Sequence, residues 1–371
     1  MLRKTLKYIF LWPLSLGYDC ITRLRNLLYD WNVFSSRAFS LPLIGIGNLA
    51  VGGTGKTPHA ELVLNILQDE WQTALLSRGY KRKTRGFVLA DSNASSETIG
   101  DEPYQIFRKF PKVKIAVDEE RVHGVVSLLK LFPRLQCIVL DDVFQHRKIK
   151  SGLSILLTDY SSLYIDDALL PLGRLRERPS GSDRADVIIV TKCKEDIDFS
   201  VLERRLDLKE EQSLFFSALE YGDAFPLFPN FSRENYSMRD VRQRTASVLL
   251  LTGIVSPLPM VEYVMKHTKQ IEQLSFPDHH SFSDGDFLRI KRSFEKMPGD
   301  EKIILTTEKD AARLLWHSGF PAELKPCVYV LPIRIRILNN KTAEFVKKIK
   351  DYVRANQTDS RIPEEEASGR N

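Results

Sequence analysis

Short apolar runs separated by helical or loop stretches mark the chain at residues 41–46, 73–76, 114–117, 137–140, 154–157 and 187–190. Runs of this length predict strands of a mostly parallel sheet with helices between them, an α/β fold. Several end directly in polar or glycine residues, and in such sheets ligand groups gather at the carboxyl ends of the strands. A charged stretch over 199–212 reads as the helix that closes this unit. A second, smaller α/β unit is expected from further runs at 247–251, 302–306 and 328–331, with Thr252-Gly253-Ile254 as a strand-to-helix turn.

The N-terminus has a different pattern. Arg3, Lys4 and Lys7 precede an apolar run over 8–18 that is broken by Pro13 and followed by Arg23 and Arg25. A spanning helix takes about 20 apolar residues, more than this run supplies. Tyr18-Asp19-Cys20 offers no small-residue cleavage site for a signal peptide. Ile21, Leu24, Leu27, Leu28 and Trp31 recur three or four apart, so they line one face of a helix. That face suits an in-plane membrane anchor or a first helix packed on the core, and periodicity alone leaves both open. The expected organisation is an amphipathic, interfacial segment at 1–34, a P-loop NTPase-like domain at 35–212, a second α/β domain at 213–355 and a disordered tail at 356–371, polar and carrying Glu364 to Glu366.

Composition adds only bounds. At 371 residues, 43% hydrophobic and 27% charged, the chain can bury two cores. Its four cysteines have no metal-type spacing and read as reduced thiols. A formal charge of +6 admits nucleic acid, an anionic membrane or a phosphorylated substrate, and only its placement separates them.

The chemistry centres on Asn48-Leu49-Ala50-Val51-Gly52-Gly53-Thr54-Gly55-Lys56-Thr57, between a strand pattern and a helix pattern. This is the setting of a phosphate-binding P-loop. Backbone N–H groups of Gly52, Gly53, Thr54 and Gly55 converge on phosphate, Lys56 adds charge, and the Thr57 hydroxyl serves Mg²⁺. Ala50 stands where the usual pattern has its first glycine, which requires a negative φ there. The strand at 137–140 ends in Asp141-Asp142, paired carboxylates of the kind that complete a Mg²⁺ site in P-loop enzymes. Gly100-Asp101-Glu102-Pro103 puts two acids in a turn, where Asp101 could accept a proton from an attacking hydroxyl or cap a helix. Five cations between Arg78 and Arg85 suit a phosphorylated substrate, anionic lipid or plain solvation, and no nucleic-acid module surrounds them. Asp278-His279-His280 matters only if the second domain closes over the P-loop face. Thr191-Lys192-Cys193-Lys194 lacks the carboxylate of the guanine-selecting N-K-x-D, which leaves adenine, and so ATP, as the expected base.

Taken together, Gly47 to Pro58, Ser77-Arg78-Gly79-Tyr80, Gly100-Asp101-Glu102-Pro103, Asp118-Glu119-Glu120-Arg121, Asp141-Asp142-Val143-Phe144-Gln145-His146, Pro171 to Glu177, Phe276-Pro277-Asp278-His279 and Thr306-Thr307-Glu308-Lys309-Asp310 resemble the tetraacyldisaccharide 4′-kinase family, the lipid A kinases of Gram-negative bacteria. The segments run in the family's order over nearly the whole chain. The resemblance implies MgATP-dependent phosphorylation of the 4′-hydroxyl of an acylated glucosamine disaccharide 1-phosphate, giving lipid IVA at the cytoplasmic face of the inner membrane, with no protein or nucleic-acid partner. It implies Lys56 and Thr57 on nucleotide and metal, Asp141 and Asp142 around Mg²⁺, and Asp101 on the acceptor hydroxyl with His279 beside it. Gln145, Arg176 and Glu177 would surround the nucleotide, and Arg78, Tyr80 and Arg121 would meet the sugar-phosphate. Val143 stands where the family often has glycine. A nucleotide-dependent switch or metallochaperone-type NTPase with a protein partner is the alternative from another class.

Overall fold

The structure is a computed structural model that describes residues 2–357 except 233, 244–246, 279 and 316–318, with 2–9 as helical backbone alone. The expected disordered tail lies, from 358 onward, outside the described residues, and so does His279.

The chain opens with helix α1 (Leu2–Asp30), then strand β1 (Leu43–Asn48), the P-loop, α2 (Lys56–Leu67), β2 (Thr73–Ser77) and the short β3 (Val88–Leu89). There follow α3 (Ser96–Ile99), α4 (Asp101–Lys109), β4 (Lys114–Val117), α5 (Arg121–Leu131), β5 (Cys137–Asp141), β6 (Leu153–Asp159), β7 (Val187–Thr191), α6 (Phe199–Leu206) and β8 (Ser213–Tyr221). The remainder comprises β9 (Phe225–Pro226), α7 (Met238–Gln243), β10 (Ser247–Thr252), α8 (Leu258–Met265), β11 (Ile271–Ser275), α9 (Asp284–Lys296), β12 (Lys302–Thr307), α10 (Glu308–Leu314), β13 (Val328–Leu331), β14 (Ile333–Ile337) and α11 (Thr342–Ala355).

A nine-stranded sheet runs β14-β8-β7-β6-β1-β5-β2-β4-β3, parallel except for its two edge strands. Both faces are covered, which is why its inner strands read as unbroken apolar runs. On one face Ile44, Ile46, Leu75 and Val139 pack with Ala60, Val63 and Leu64 of α2 and with Phe345, Ile349 and Val353 of α11. On the other, Leu43, Leu76, Ile138 and Leu140 meet Val125 and Leu128 of α5. Alternate residues of one strand thus serve two cores. A five-stranded sheet, β11-β10-β12-β13-β9, forms the second unit around Leu249, Leu251, Ile304 and Val330.

The domain limits differ from those expected. β8 pairs in parallel with β7, and β14 returns to pair antiparallel with β8, Ile333 opposite Tyr221. Gly222 N donates to the Pro332 carbonyl at 3.0 Å, and the Tyr352 hydroxyl donates to the Leu43 carbonyl at 3.1 Å. Residues 213–222 and 332–356 therefore belong to the P-loop domain, and the second unit, 223–331, is an insertion between two adjacent strands. Its α10 lies along α4 through a seam of charge: Arg313 to Asp101, Lys309 to Glu102, and Glu308 to Lys109, which also reaches Glu61 of α2.

Candidate active site

β1 delivers the chain to the middle of the sheet at its carboxyl edge, and the turn before α2 wraps there. Gly55 caps α2 at φ 89°, and Gly52 has φ 117°, both in the region that penalises a side chain. Ala50 keeps a negative φ, as its identity requires, and bridges to Leu175. Segment 174–176 pins the loop: Val51 N donates to the Arg174 carbonyl at 2.8 Å, and Arg176 N to the Leu49 carbonyl at 2.7 Å.

Asn48, fully buried, organises the loop from within. Its Nδ2 donates to the Ala50 carbonyl at 2.7 Å and to Thr54 Oγ1 at 2.9 Å, while its Oδ1 accepts from Lys56 Nζ at 3.3 Å. Lys56 also lies 3.5 Å from Asp142 Oδ1. His59, one turn into α2, has Nδ1 at 2.7 Å from the Gly55 carbonyl and Nε2 at 2.9 Å from Ser217 Oγ. Burial drives its pKa down to about 4, so it sits there neutral. Lys192 donates to the Gly53 carbonyl at 2.5 Å and pairs with Asp159 at 2.6 Å, so the lysine of the incomplete N-K-x-D steadies the P-loop.

The paired acids have opposite environments. Asp141 is buried; burial first, then the charges of Glu102 and Asp142, push its carboxyl up to about 7 against the pull of Lys56 and Arg121. Its Oδ2 accepts from Ser77 Oγ at 3.2 Å, and its buried Oδ1 has no hydrogen-bond partner among the described residues. Burial also opposes ionisation of Asp142, yet Lys56, Arg176 and Arg121 together hold its carboxyl below the usual range. The left-handed backbone falls on Asp142 at φ 47°, not on Val143, so valine is accommodated and buries its side chain. Among the described residues no three His, Cys, Asp or Glu side chains form a metal cage of protein ligands alone.

Asp101 opens α4 but does not cap it. The N-cap is Gly100 at φ 92°, so Asp101 is the first residue of the helix and not its cap. Arg313 of the second unit instead donates to Asp101 Oδ2 from Nε at 2.9 Å and from Nη2 at 2.7 Å. A side chain at Gly100 would press on the backbone of Gly79 and Tyr80, so this turn lies directly against Arg78–Tyr80. Arg78 and Tyr80 are exposed at the end of β2, beside Asp141 in the sheet. Arg121 is not presented with them. It is 2% exposed and turns inward, donating to the carbonyls of Asp118 at 2.6 Å and Asp141 at 3.3 Å, because it begins α5 beneath the strand ends.

Gln145, Arg176 and Glu177 form a backing layer. Gln145 Nε2 donates to the Asn48 carbonyl at 2.8 Å and to Glu177 Oε1 at 3.1 Å; Arg176 Nη1 donates to Gln145 Oε1 at 3.2 Å and Asp142 Oδ1 at 3.3 Å. Glu177 is 3% exposed and also accepts from Arg184 and Asn26. It acts on the site through Gln145. Helix α1 joins this layer: the Tyr18 hydroxyl donates to the Arg176 carbonyl at 2.9 Å, Arg25 to the Gln145 carbonyl at 2.7 Å, and Arg178 grips Asp19. Its outer face leaves Phe10, Leu14, Ile21 and Leu24 exposed, as is Trp31 just past its end. No described helix is long and apolar enough to cross a membrane.

Asn48, His59 and Arg313 were not anticipated. The first two flank the P-loop motif and the third follows Thr306–Asp310, but nothing in residue type separates them from ordinary polar positions.

A sequence model of the family described as tetraacyldisaccharide-1-P 4′-kinase matches residues 7–354. Tetraacyldisaccharide 4′-kinase of Bacteroides thetaiotaomicron is 48% identical over 96% of both chains, and that of Flavobacterium johnsoniae is 42% identical over 93% of this chain and 97% of its own. A crystal structure of LpxK from Aquifex aeolicus in complex with ATP superposes with a TM-score of 0.71 at 27% identity, covering 95% of this chain and 99% of that one. With the P-loop, the paired acids and the Asp101 turn all assembled at one sheet edge, the chain belongs to the tetraacyldisaccharide 4′-kinase family.

Proposed function

We propose that the protein transfers the γ-phosphoryl group of ATP to the 4′-hydroxyl of a tetraacyl glucosamine disaccharide 1-phosphate, giving lipid IVA for lipid A biosynthesis. The observation that carries this reading is the convergence on one sheet edge of two groups: Lys56, held by Asn48 and Asp142, and the first turn of α4, whose Glu102 acts electrostatically on Asp141. Phosphoryl transfer asks mainly for positioning and charge compensation, and that edge is built for both.

In this mechanism the Gly52–Lys56 backbone N–H groups cradle the phosphates, and Lys56 Nζ neutralises charge as it develops on the γ-phosphoryl oxygens. The Asp101 carboxylate orients the acceptor hydroxyl and accepts its proton, with His279, which lies outside the described residues, as its partner. The 4′-oxygen forms a bond to the γ-phosphorus while the bond from that phosphorus to the β,γ-bridging oxygen breaks, and ADP leaves. The orphaned, buried Asp141 Oδ1 beside Asp142 suits a hard cation. Asp141, Asp142 and Thr57 would hold Mg²⁺, which, when bound with the phosphates and water, supplies Lewis-acid charge stabilisation. Arg78 and Tyr80, exposed against the Asp101 turn, would meet the sugar-phosphate; Arg121, being buried, would act by fixing the Asp118 and Asp141 backbones.

The exposed apolar face of α1 supports a peripheral seat on the cytoplasmic surface of the inner membrane, where such a lipid would be met. The test is transfer of ³²P from γ-labelled ATP to the disaccharide 1-phosphate lipid in detergent micelles. Labelled lipid is expected. Lipid-independent ATP hydrolysis with no labelled lipid would overturn the reading in favour of a switch NTPase.

A further inference from the structure

Of the motif Thr306–Asp310, Glu308 and Lys309 reach α4 directly, and Thr307 and Asp310 anchor the arginine that does so beside them. Thr307 caps α10, and its Oγ1 donates to Asp310 Oδ2 at 2.7 Å while accepting from Asp310 N at 3.0 Å. Gly253 N donates to the same Asp310 oxygen at 2.9 Å. Asp310 is fully buried, and its other oxygen accepts from Arg313 Nη1 at 2.9 Å. The same Nη1 donates to the Gly253 carbonyl at 3.2 Å. One edge of the Arg313 guanidinium is thus locked into the second unit. Its Nε and Nη2 both point across the seam to Asp101 Oδ2, and the arginine side chain is only 6% exposed. One turn back, Lys309 lies 3.1 Å from Asp278 and 3.6 Å from Glu102, so the neighbours of Arg313 hold the residues adjoining Asp101 and His279.

We propose that Arg313 is a positioning residue for phosphoryl transfer: anchored by Asp310 and Gly253, it fixes the orientation of the Asp101 carboxylate from the second domain. This rests on the reading of Asp101 as the group that meets the acceptor hydroxyl. A carboxylate at the start of a helix rotates about two side-chain torsions. A planar guanidinium, itself held at its far edge, removes that freedom through two directed bonds that a lysine ammonium cannot reproduce. Arg313 thereby makes the aim of the Asp101 carboxylate depend on the docked second unit.

The test compares Arg313→Lys, Asp101→Asn and the double variant for lipid phosphorylation, ATP affinity by calorimetry, and thermal midpoint. Arg313→Lys keeps a cation against Asp310 and should lower kcat on the order of 10²-fold, the scale of an ångström-level misplacement. KM for ATP and the calorimetric affinity should stay within about twofold, since uniform binding is untouched. The double variant should be no worse than Asp101→Asn alone, because the two act as one unit. Wild-type kcat in Arg313→Lys beside an inactive Asp101→Asn overturns the positioning role alone, and so do additive losses. Full activity of Asp101→Asn brings down the underlying reading of Asp101. Should Arg313→Lys fail to fold, Asp310→Asn/Arg313→Gln, which leaves no charge buried at position 310, takes its place. For that variant, added guanidinium ion should restore part of kcat, and no recovery overturns the proposal.

Discussion

Lys56 and His59 occupy neighbouring turns of one helix and do opposite electrostatic work. Lys56 is tethered to Asn48 and Asp142, where the proposed mechanism sets it against the phosphates. Lys56→Ala should lower transfer by on the order of 10²-fold, about 3 kcal/mol of transition-state stabilisation. Its thermal midpoint should fall only modestly, because Asp142 keeps Arg176 and the one buried acceptor left without its donor is Asn48 Oδ1, a neutral group. Initial rates and a melting curve check both halves. His59 is buried neutral, its pKa driven down to about 4 from 6.5. Above pH 6.5 it is neutral in both folded and unfolded chains and adds no pH dependence. As pH falls below 6.5 only the unfolded chain takes up the proton, so folded-state stability drops until about pH 4. By pH 5.5 the wild type should lose roughly 1 kcal/mol more than His59→Asn, relative to pH 7.5. Urea midpoints at the two pH values measure this, and parallel losses in the two proteins would reject it.

At the scale of an element, α1 shows how one helix serves two masters. Its inward residues Ser15, Tyr18, Asp19 and Asn26 bond to the layer behind the P-loop. Its outward residues Ile21 and Leu24, with Trp31 just past its end, are exposed. The alternatives of membrane anchor and packed first helix are therefore not exclusive, and deleting 1–34 would disturb both. Ile21→Glu/Leu24→Glu separates them: co-sedimentation with anionic vesicles should fall several-fold, since burying a carboxylate in the interface is unfavourable. Calorimetric ATP affinity should be unchanged. Undiminished vesicle binding would move the contact elsewhere on the molecule. The period of three to four that picks out Ile21, Leu24, Leu27, Leu28 and Trp31 was legible. Which flank of the helix meets protein was not, because Ser15 and Asp19 are polar residues buried by pairing rather than by hydrophobicity.

For the whole molecule, the decisive fact is that the second unit is an insertion, and the two residues that flank it, Gly222 and Pro332, hydrogen-bond to each other. Excising 223–331 and joining the ends with a short turn should leave the P-loop domain folded, because β14 and α11 remain to complete its sheet and core. Circular dichroism and calorimetry should report native-like helix content and near-normal ATP binding. Lipid phosphorylation should be lost along with Arg313. Truncation after residue 331 should instead abolish folding, since Phe345, Ile349 and Val353 leave the core. If the truncated chain folds and the excised one does not, the insertion topology has been misread.

By itself the sequence determined the parallel α/β class, the nucleotide loop and the two carboxylates beyond it. Those features rest on local chemistry: apolar runs long enough for a strand, glycine where the backbone must turn left, acids at a strand end. Even β14, Ile333-Arg334-Ile335-Arg336-Ile337, carries the alternation of an edge strand once its place is known. Which sheet it joins is a matter of pairing across more than a hundred residues, and no local pattern encodes that. Tertiary structure alone decided the same kind of question at the site. It turned Arg121 inward, put Glu177 behind Gln145, took Asp101 off its own helix cap and gave its Oδ2 to an arginine 212 residues away. Charged side chains are the least committed by sequence, because their energy is set by partners and burial, and both exist only after the chain has folded.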